Sequence, residues 1–195
     1  LRRILIAMGG VDQFDMTGKV LRALSQCRLP EGCNIKVILG ATAPHLLNVR
    51  KQVKIMPHPT TLEVDVPNMA QLMADSDLSI GAPGTTSWER SCMGLPAILI
   101  ILAENQRLVA GSLQSCGAAL IIEDSDSLRT SLQLGIEKLS EASALKKMSD
   151  AARQLTDGFG FDVSVRLRQE REKLVGAQLD NECHICFGEN GNHEH

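Results

Sequence analysis

Six short apolar runs recur along the chain: Ile4 to Met8, Ile35 to Leu39, Leu62 to Val66, Leu78 to Ile80, Ala97 to Leu102 and Ala118 to Ile122. Each is bounded by Gly, Pro, Asp or Asn and is too short to fill a helix, so each predicts a strand. Between them lie segments with helical spacing, such as Val20, Leu21, Leu24 and Met69, Leu72, Met73. The strands are continuously apolar, not alternating, which implies burial on both faces. That is the signature of a parallel sheet covered by helices through right-handed crossovers. The expected fold is α/β, a Rossmann-like parallel six-stranded sheet flanked by helices.

After Glu123 the pattern turns to helices alone. They are expected over Ser127 to Leu139, Ala142 to Leu155 and Asp162 to Val175, with a turn at Asp157-Gly158-Phe159-Gly160. Beyond Gly176 the chain is polar and rich in Gly and Asn, with little to contribute to a core. One domain over residues 1–176 is therefore expected, followed by a polar tail or the start of a further module over 177–195.

Composition narrows the function classes. The 195 residues are 44% hydrophobic, enough for one substantial core. The net charge of −3 arises from interspersed signs, and the chain has one Trp and no Tyr. Neither a basic footprint nor a base-stacking platform for nucleic acid can be assembled from this material. The longest apolar run, Pro96 to Ala103, falls far short of the roughly 20 residues of a membrane helix. Six scattered cysteines suit a reducing, cytoplasmic setting. The chain opens at Leu1 directly on a strand, so it reads as the latter part of a longer protein.

The most informative stretch is Ser79-Ile80-Gly81-Ala82-Pro83-Gly84-Thr85-Thr86-Ser87-Trp88-Glu89, followed by Gly94-Leu95-Pro96. A strand enters a glycine turn with small hydroxyl residues, and a helix begins at Thr85 or Thr86. Unpaired N–H groups at such a start suit a diphosphate, and Glu89 is within reach of a ribose diol. The same residues also read as an N-cap with Glu89 as its capping partner. A second junction, Met8-Gly9-Gly10-Val11-Asp12, belongs at the same sheet edge, where backbone can approach a phosphate or sugar; the other reading is a tight turn with Asp12 as cap. Gly40 to His45 and Ala103-Glu104-Asn105-Gln106 should join that edge. His45 reads as a helix-start residue and His58 as a loop residue.

Several chemistries find no motif. The Gly-x-Gly-x-x-Gly fingerprint and the P-loop are absent, which disfavours a NAD enzyme or a P-loop NTPase. So are a Ser-His-Asp order, a Gly-x-Ser-x-Gly elbow and His-Glu-x-x-His. No cofactor is expected. Cys183 and Cys186, with His193 and His195 following, have spacing for half a zinc site, the alternative being an unstructured terminus.

Taken together, Gly9-Gly10-Val11-Asp12, Gly84-Thr85-Thr86-Ser87-Trp88-Glu89-Arg90, Gly94-Leu95-Pro96 and Asn105-Gln106 resemble the nucleotide-binding half of a GT-B enzyme. The Thr-Ser-Trp-Glu-Arg string, with Asn68-Met69-Ala70 upstream, most resembles the UDP-sugar hydrolase of pseudaminic acid biosynthesis, which releases UDP from a 2,4-diacetamido-trideoxy-hexose. That family is similar in turn to the peptidoglycan UDP-N-acetylglucosaminyl transferase. The resemblance covers residues 1–123 and, more loosely, the helices to about 170. It implies a UDP-sugar as partner, with Gly9 and Gly10 near the pyrophosphate or sugar, and Gly84, Thr85, Thr86 and Ser87 on phosphate. Glu89 would take the ribose hydroxyls. Asp12, Asn105 and Gln106 would complete the substrate-binding set, and the loop from Pro57 to Thr60 would border the uracil. The catalytic residues would belong to a preceding Rossmann-like domain of the same polypeptide. The leading expectation is thus the UDP-binding domain of a UDP-sugar hydrolase; a GT-B glycosyltransferase and a non-catalytic nucleotide-sugar-binding module are the alternatives.

Overall fold

The computed structural model describes residues 1–123 and 127–156. Strands and helices alternate as the apolar runs predict. In chain order they are β1 (Arg3–Ala7), α1 (Met16–Leu24), β2 (Asn34–Leu39), α2 (Leu46–Lys54), β3 (Thr60–Val64), α3 (Met69–Ala74) and β4 (Leu78–Gly81). There follow α4 (Thr86–Cys92), β5 (Ala97–Ile101), a 3₁₀ turn (Glu104–Gln106), α5 (Arg107–Ser115), β6 (Ala119–Glu123), α6 (Leu128–Ser140) and α7 (Ala142–Arg153). The turn at Asp157 to Gly160, the expected helix at Asp162 to Val175, the domain limit at 176 and the Cys-His tail lie outside the described residues.

The six strands form one parallel sheet in the order β3-β2-β1-β4-β5-β6. All six expected strands are present, each displaced by no more than two residues from its apolar run. β4 and β5 are buried along their whole length, which is why they read as unbroken hydrophobic segments. Ile4, Ile6, Ile80, Ile98 and Ile100 face one layer, where Val20, Leu21 and Leu24 of α1 meet Leu132 and Ile136 of α6. On the opposite face Leu5 and Ile38 pack on Leu72 and Met73 of α3, and Ala97 and Leu99 pack on Leu113 of α5. Among the described residues no helix is long and apolar enough to cross a membrane.

The topology itself locates a crevice. The chain builds outward from β1 through β2 to β3, then returns to lay β4 against the other side of β1, with Ala7 opposite Gly81. Loops leaving β1 and β4 therefore diverge to opposite faces. Such a switch point leaves a cleft outside the carboxyl ends of the two strands, the usual ligand position in open α/β sheets.

Candidate functional site

Both glycine turns singled out in the sequence emerge at this switch point. Gly9 follows β1 by two residues and takes φ 109°, a conformation closed to side-chain-bearing residues. Gly84 follows β4 by three residues. A Cβ added at Gly9, Gly10 or Gly84 would meet no atom within 4 Å, so all three open onto empty space. Gly40 differs: a Cβ there would press on the Gly10 carbonyl, to which the Gly40 N–H donates at 2.9 Å. Internal packing accounts for Gly40, whereas neither packing nor a positive φ accounts for Gly10 and Gly84.

Asp12 is spent inside the first turn. It is buried at φ 42°, and its two carboxylate oxygens accept the N–H groups of Met16 at 2.9 Å and Thr17 at 2.8 Å. Of the two readings the sequence allowed, the structure has Asp12 capping α1. The first two donors of that helix start are thus already occupied.

At the second turn, the Gly84 N–H donates to Ser87 Oγ at 3.1 Å while the Ser87 N–H donates to the Gly84 carbonyl at 2.9 Å. The reciprocal pair closes the turn and draws the Ser87 hydroxyl inward. Ser87 is buried, Thr86 half-buried and Thr85 exposed. Glu89 is exposed in the first turn of α4.

Beneath this turn lies a residue to which sequence reasoning gave no role. Arg90 is 2% exposed and, among the described residues, the largest fully buried side chain. Its Nη2 donates to the Ala82 carbonyl at 2.8 Å, to Thr86 Oγ1 at 3.1 Å and to Ser87 Oγ at 3.4 Å, and Nη1 reaches Ser79 Oγ at 3.5 Å. Its Nε finds no acceptor among the described residues. Burial pushes the guanidinium down to about 10, a shift that the nearby Glu89 charge opposes. A signal existed in the sequence: Ser87, Arg90 and Ser91 recur at i, i+3 and i+4 and so form one polar stripe, which the structure buries.

The remaining expected positions are more dispersed. Gln106 lies at the carboxyl edge beyond β5, but its Oε1 accepts the Leu102 N–H at 2.9 Å. Asn105 is exposed, and the Glu104 carboxylate is engaged by Arg107 at 2.7 Å. His45 precedes α2 with Nε2 3.3 Å from the Gln13 carbonyl oxygen. The loop from Pro57 to Thr60 requires correction. It enters β3, so it lies at the amino edge of the sheet, opposite the glycine turns, with His58 Nε2 3.3 Å from the Cys27 carbonyl oxygen. It cannot border a base held at the switch point. An open hollow of about 470 Å³ runs along α7 between Ser143 and Gln154, away from both turns. Cys183, Cys186, His193 and His195 lie outside the described residues; among those described, no group of three or more His, Cys, Asp or Glu is placed to hold a metal.

The six-stranded parallel sheet with this order is a Rossmann-like layer, and its likeness to solved GT-B glycosyltransferases makes it one half of a GT-B fold. The chain belongs to the family described as "Glycosyltransferase family 28 C-terminal domain", which it matches over residues 6–159. It is 33% identical over 119 residues to the spore coat polysaccharide biosynthesis protein SpsG of Bacillus subtilis (strain 168), covering 61% of this chain and 35% of that protein. It is 31% identical over 128 residues to the UDP-N-acetylglucosamine--N-acetylmuramyl-(pentapeptide) pyrophosphoryl-undecaprenol N-acetylglucosamine transferase of Halothermothrix orenii (strain H 168), covering 63% of this chain and 33% of that one. The crystal structure of MurG from Acinetobacter baumannii superposes with a TM-score of 0.68 at 22% identity, covering 87% of this chain and 52% of that chain. The chain thus spans about a third of the length of these two curated relatives.

These findings correct the expected activity. The family is one of glycosyltransferases, and the relative whose name states a reaction is a transferase, so the UDP-sugar hydrolase reading does not stand. Nothing in the relatives' names assigns a pseudaminic acid substrate.

Proposed function

We propose that this chain is the donor-binding domain of a GT-B glycosyltransferase that uses a UDP-sugar. The observation that carries the reading is the pair of open glycine turns at the β1/β4 switch point, where Gly10 and Gly84 lack side chains for no internal reason. A diphosphate between the turns is the ligand that backbone so bared is suited to approach. Gly84, Thr85 and Thr86 hold the phosphates, with Gly9 and Gly10 forming the facing wall. Ser87 and Asp12 shape the two turns from within, and Gln106 braces the end of β5. Glu89 accepts hydrogen bonds from the ribose diol, and Asn105 lies toward the sugar. Use of UDP is supported by the transferase relative, whose name specifies a UDP-sugar. A preceding Rossmann-like domain of the same polypeptide supplies the acceptor wall of the cleft and the catalytic groups.

Glu89→Ala tests the assignment. Loss of a charge-assisted hydrogen bond is expected to weaken UDP binding by about 1–3 kcal/mol, with at most about 1 kcal/mol lost from stability, because Glu89 is exposed but its charge favours the start of α4 and the neighbouring Arg90 cation. Calorimetry on the two proteins measures it. Equal affinities with the fold intact would remove Glu89 from the site.

A further inference from the structure

Arg90 poses a physical question that the donor site does not by itself answer. A guanidinium out of water ordinarily faces a carboxylate, because an uncompensated buried charge is costly. Among the described residues no carboxylate lies within ion-pair distance of Arg90. Its partners are instead neutral oxygens, and they converge on one junction: Ala82 lies in the turn between β4 and α4, Thr86 and Ser87 open α4, and Ser79 anchors the fork to the strand below. Gly81, the last residue of β4, makes room for this arrangement. A Cβ there would lie against Arg90 Nη1 and within 2.7 Å of the Ala7 carbonyl oxygen. Strand end, turn and helix are thus built around one cation.

We propose that Arg90 is the positioning residue of the site: its guanidinium sets the shape in which the turn meets a diphosphate and places beneath it the positive charge the diphosphate neutralises. The proposal rests on the donor-site reading above. It goes further in assigning the turn's geometry and charge to one side chain that touches no substrate. A neutral clip would suffice for shape alone, since the carbonyl of Ala82 and the hydroxyls of Thr86 and Ser87 need only N–H donors. A cation is called for when the bound group is an anion and the intervening medium has a low dielectric constant.

The test compares UDP with uridine, which shares the base and ribose but carries no phosphate, by NMR titration of the 195-residue chain and of Arg90→Gln and Arg90→Lys. In Arg90→Gln, which removes both the fork and the charge, the affinity for UDP is expected to fall by about tenfold or more while that for uridine holds, because the cation and the fork lie beneath the turn that meets the phosphates. Arg90→Lys keeps the charge but loses the planar fork, and an intermediate loss is expected. A merely structural role would shift both ligands together, and an unchanged ratio of UDP to uridine affinity overturns the proposal. Should the variants fail to fold, the unsubstituted chain still reads it out. The Arg90 Nε–Hε resonance moves on adding UDP and not on adding uridine; no movement with UDP bound contradicts the assignment. Failure of the donor-site reading looks different, since the unsubstituted chain would then not distinguish UDP from uridine at all.

Discussion

Gly84 separates two explanations of the turn between β4 and α4. Were it only a turn, alanine would be free to take its place, since its φ is not positive and a Cβ would enter open space. Gly84→Ala should therefore leave stability unchanged or raise it by up to about 1 kcal/mol, through the smaller entropy of the unfolded chain. UDP affinity should nonetheless fall, because the added methyl group occupies the space of the phosphate. Urea unfolding alongside calorimetry measures both quantities, and retained affinity would return Gly84 to the status of a turn residue. The placement of Gly9, Gly10 and Gly84 in turns and of Glu89 in the first turn of α4 was legible because it depends on neighbouring residues alone. The inward course of Arg90 was marked only by the polar stripe of Ser87, Arg90 and Ser91, because the space that receives its guanidinium, left by the missing Cβ of Gly81, comes from a different element.

Among elements, α1 shows how a turn can resemble an anion site and yet be self-satisfied. Asp12 supplies to Met16 and Thr17 the acceptors that a phosphate would otherwise provide. Asp12→Ala should cost about 1–2 kcal/mol of stability as a lost cap. Asp12→Asn should cost less, because asparagine both caps and tolerates the positive φ. Denaturant midpoints test the order, and equal losses would contradict the capping account. β4 and β5 were readable because burial on both faces makes them short and apolar, whereas the edge strand β3, with no buried residue, was marked by the turn residues that bound it. The error at Pro57 to Thr60 has a geometric origin. Periodicity identifies β3 but does not show which end of a loop meets which edge; in a parallel sheet, a loop that enters a strand lies at the amino edge, opposite the switch point.

The molecule as a whole is organised by its strand order. Six parallel strands in the order β3-β2-β1-β4-β5-β6 bring two distant glycine turns, 75 residues apart between Gly9 and Gly84, to one crevice. Alternating strands and helices made the fold class legible, and the motif series made the GT-B half legible. The choice between hydrolysis and transfer was not, because that distinction depends on whether water or an acceptor hydroxyl faces the sugar. Turns proposed to hold the nucleotide are indifferent to it. The most direct test of the central claim is calorimetric titration of the chain with UDP against ADP and NAD. Binding of UDP at least about tenfold tighter than ADP is predicted, a difference of about 1.4 kcal/mol. No binding of UDP, or equal binding of ADP, would contradict a UDP-sugar donor site at the β1/β4 switch point.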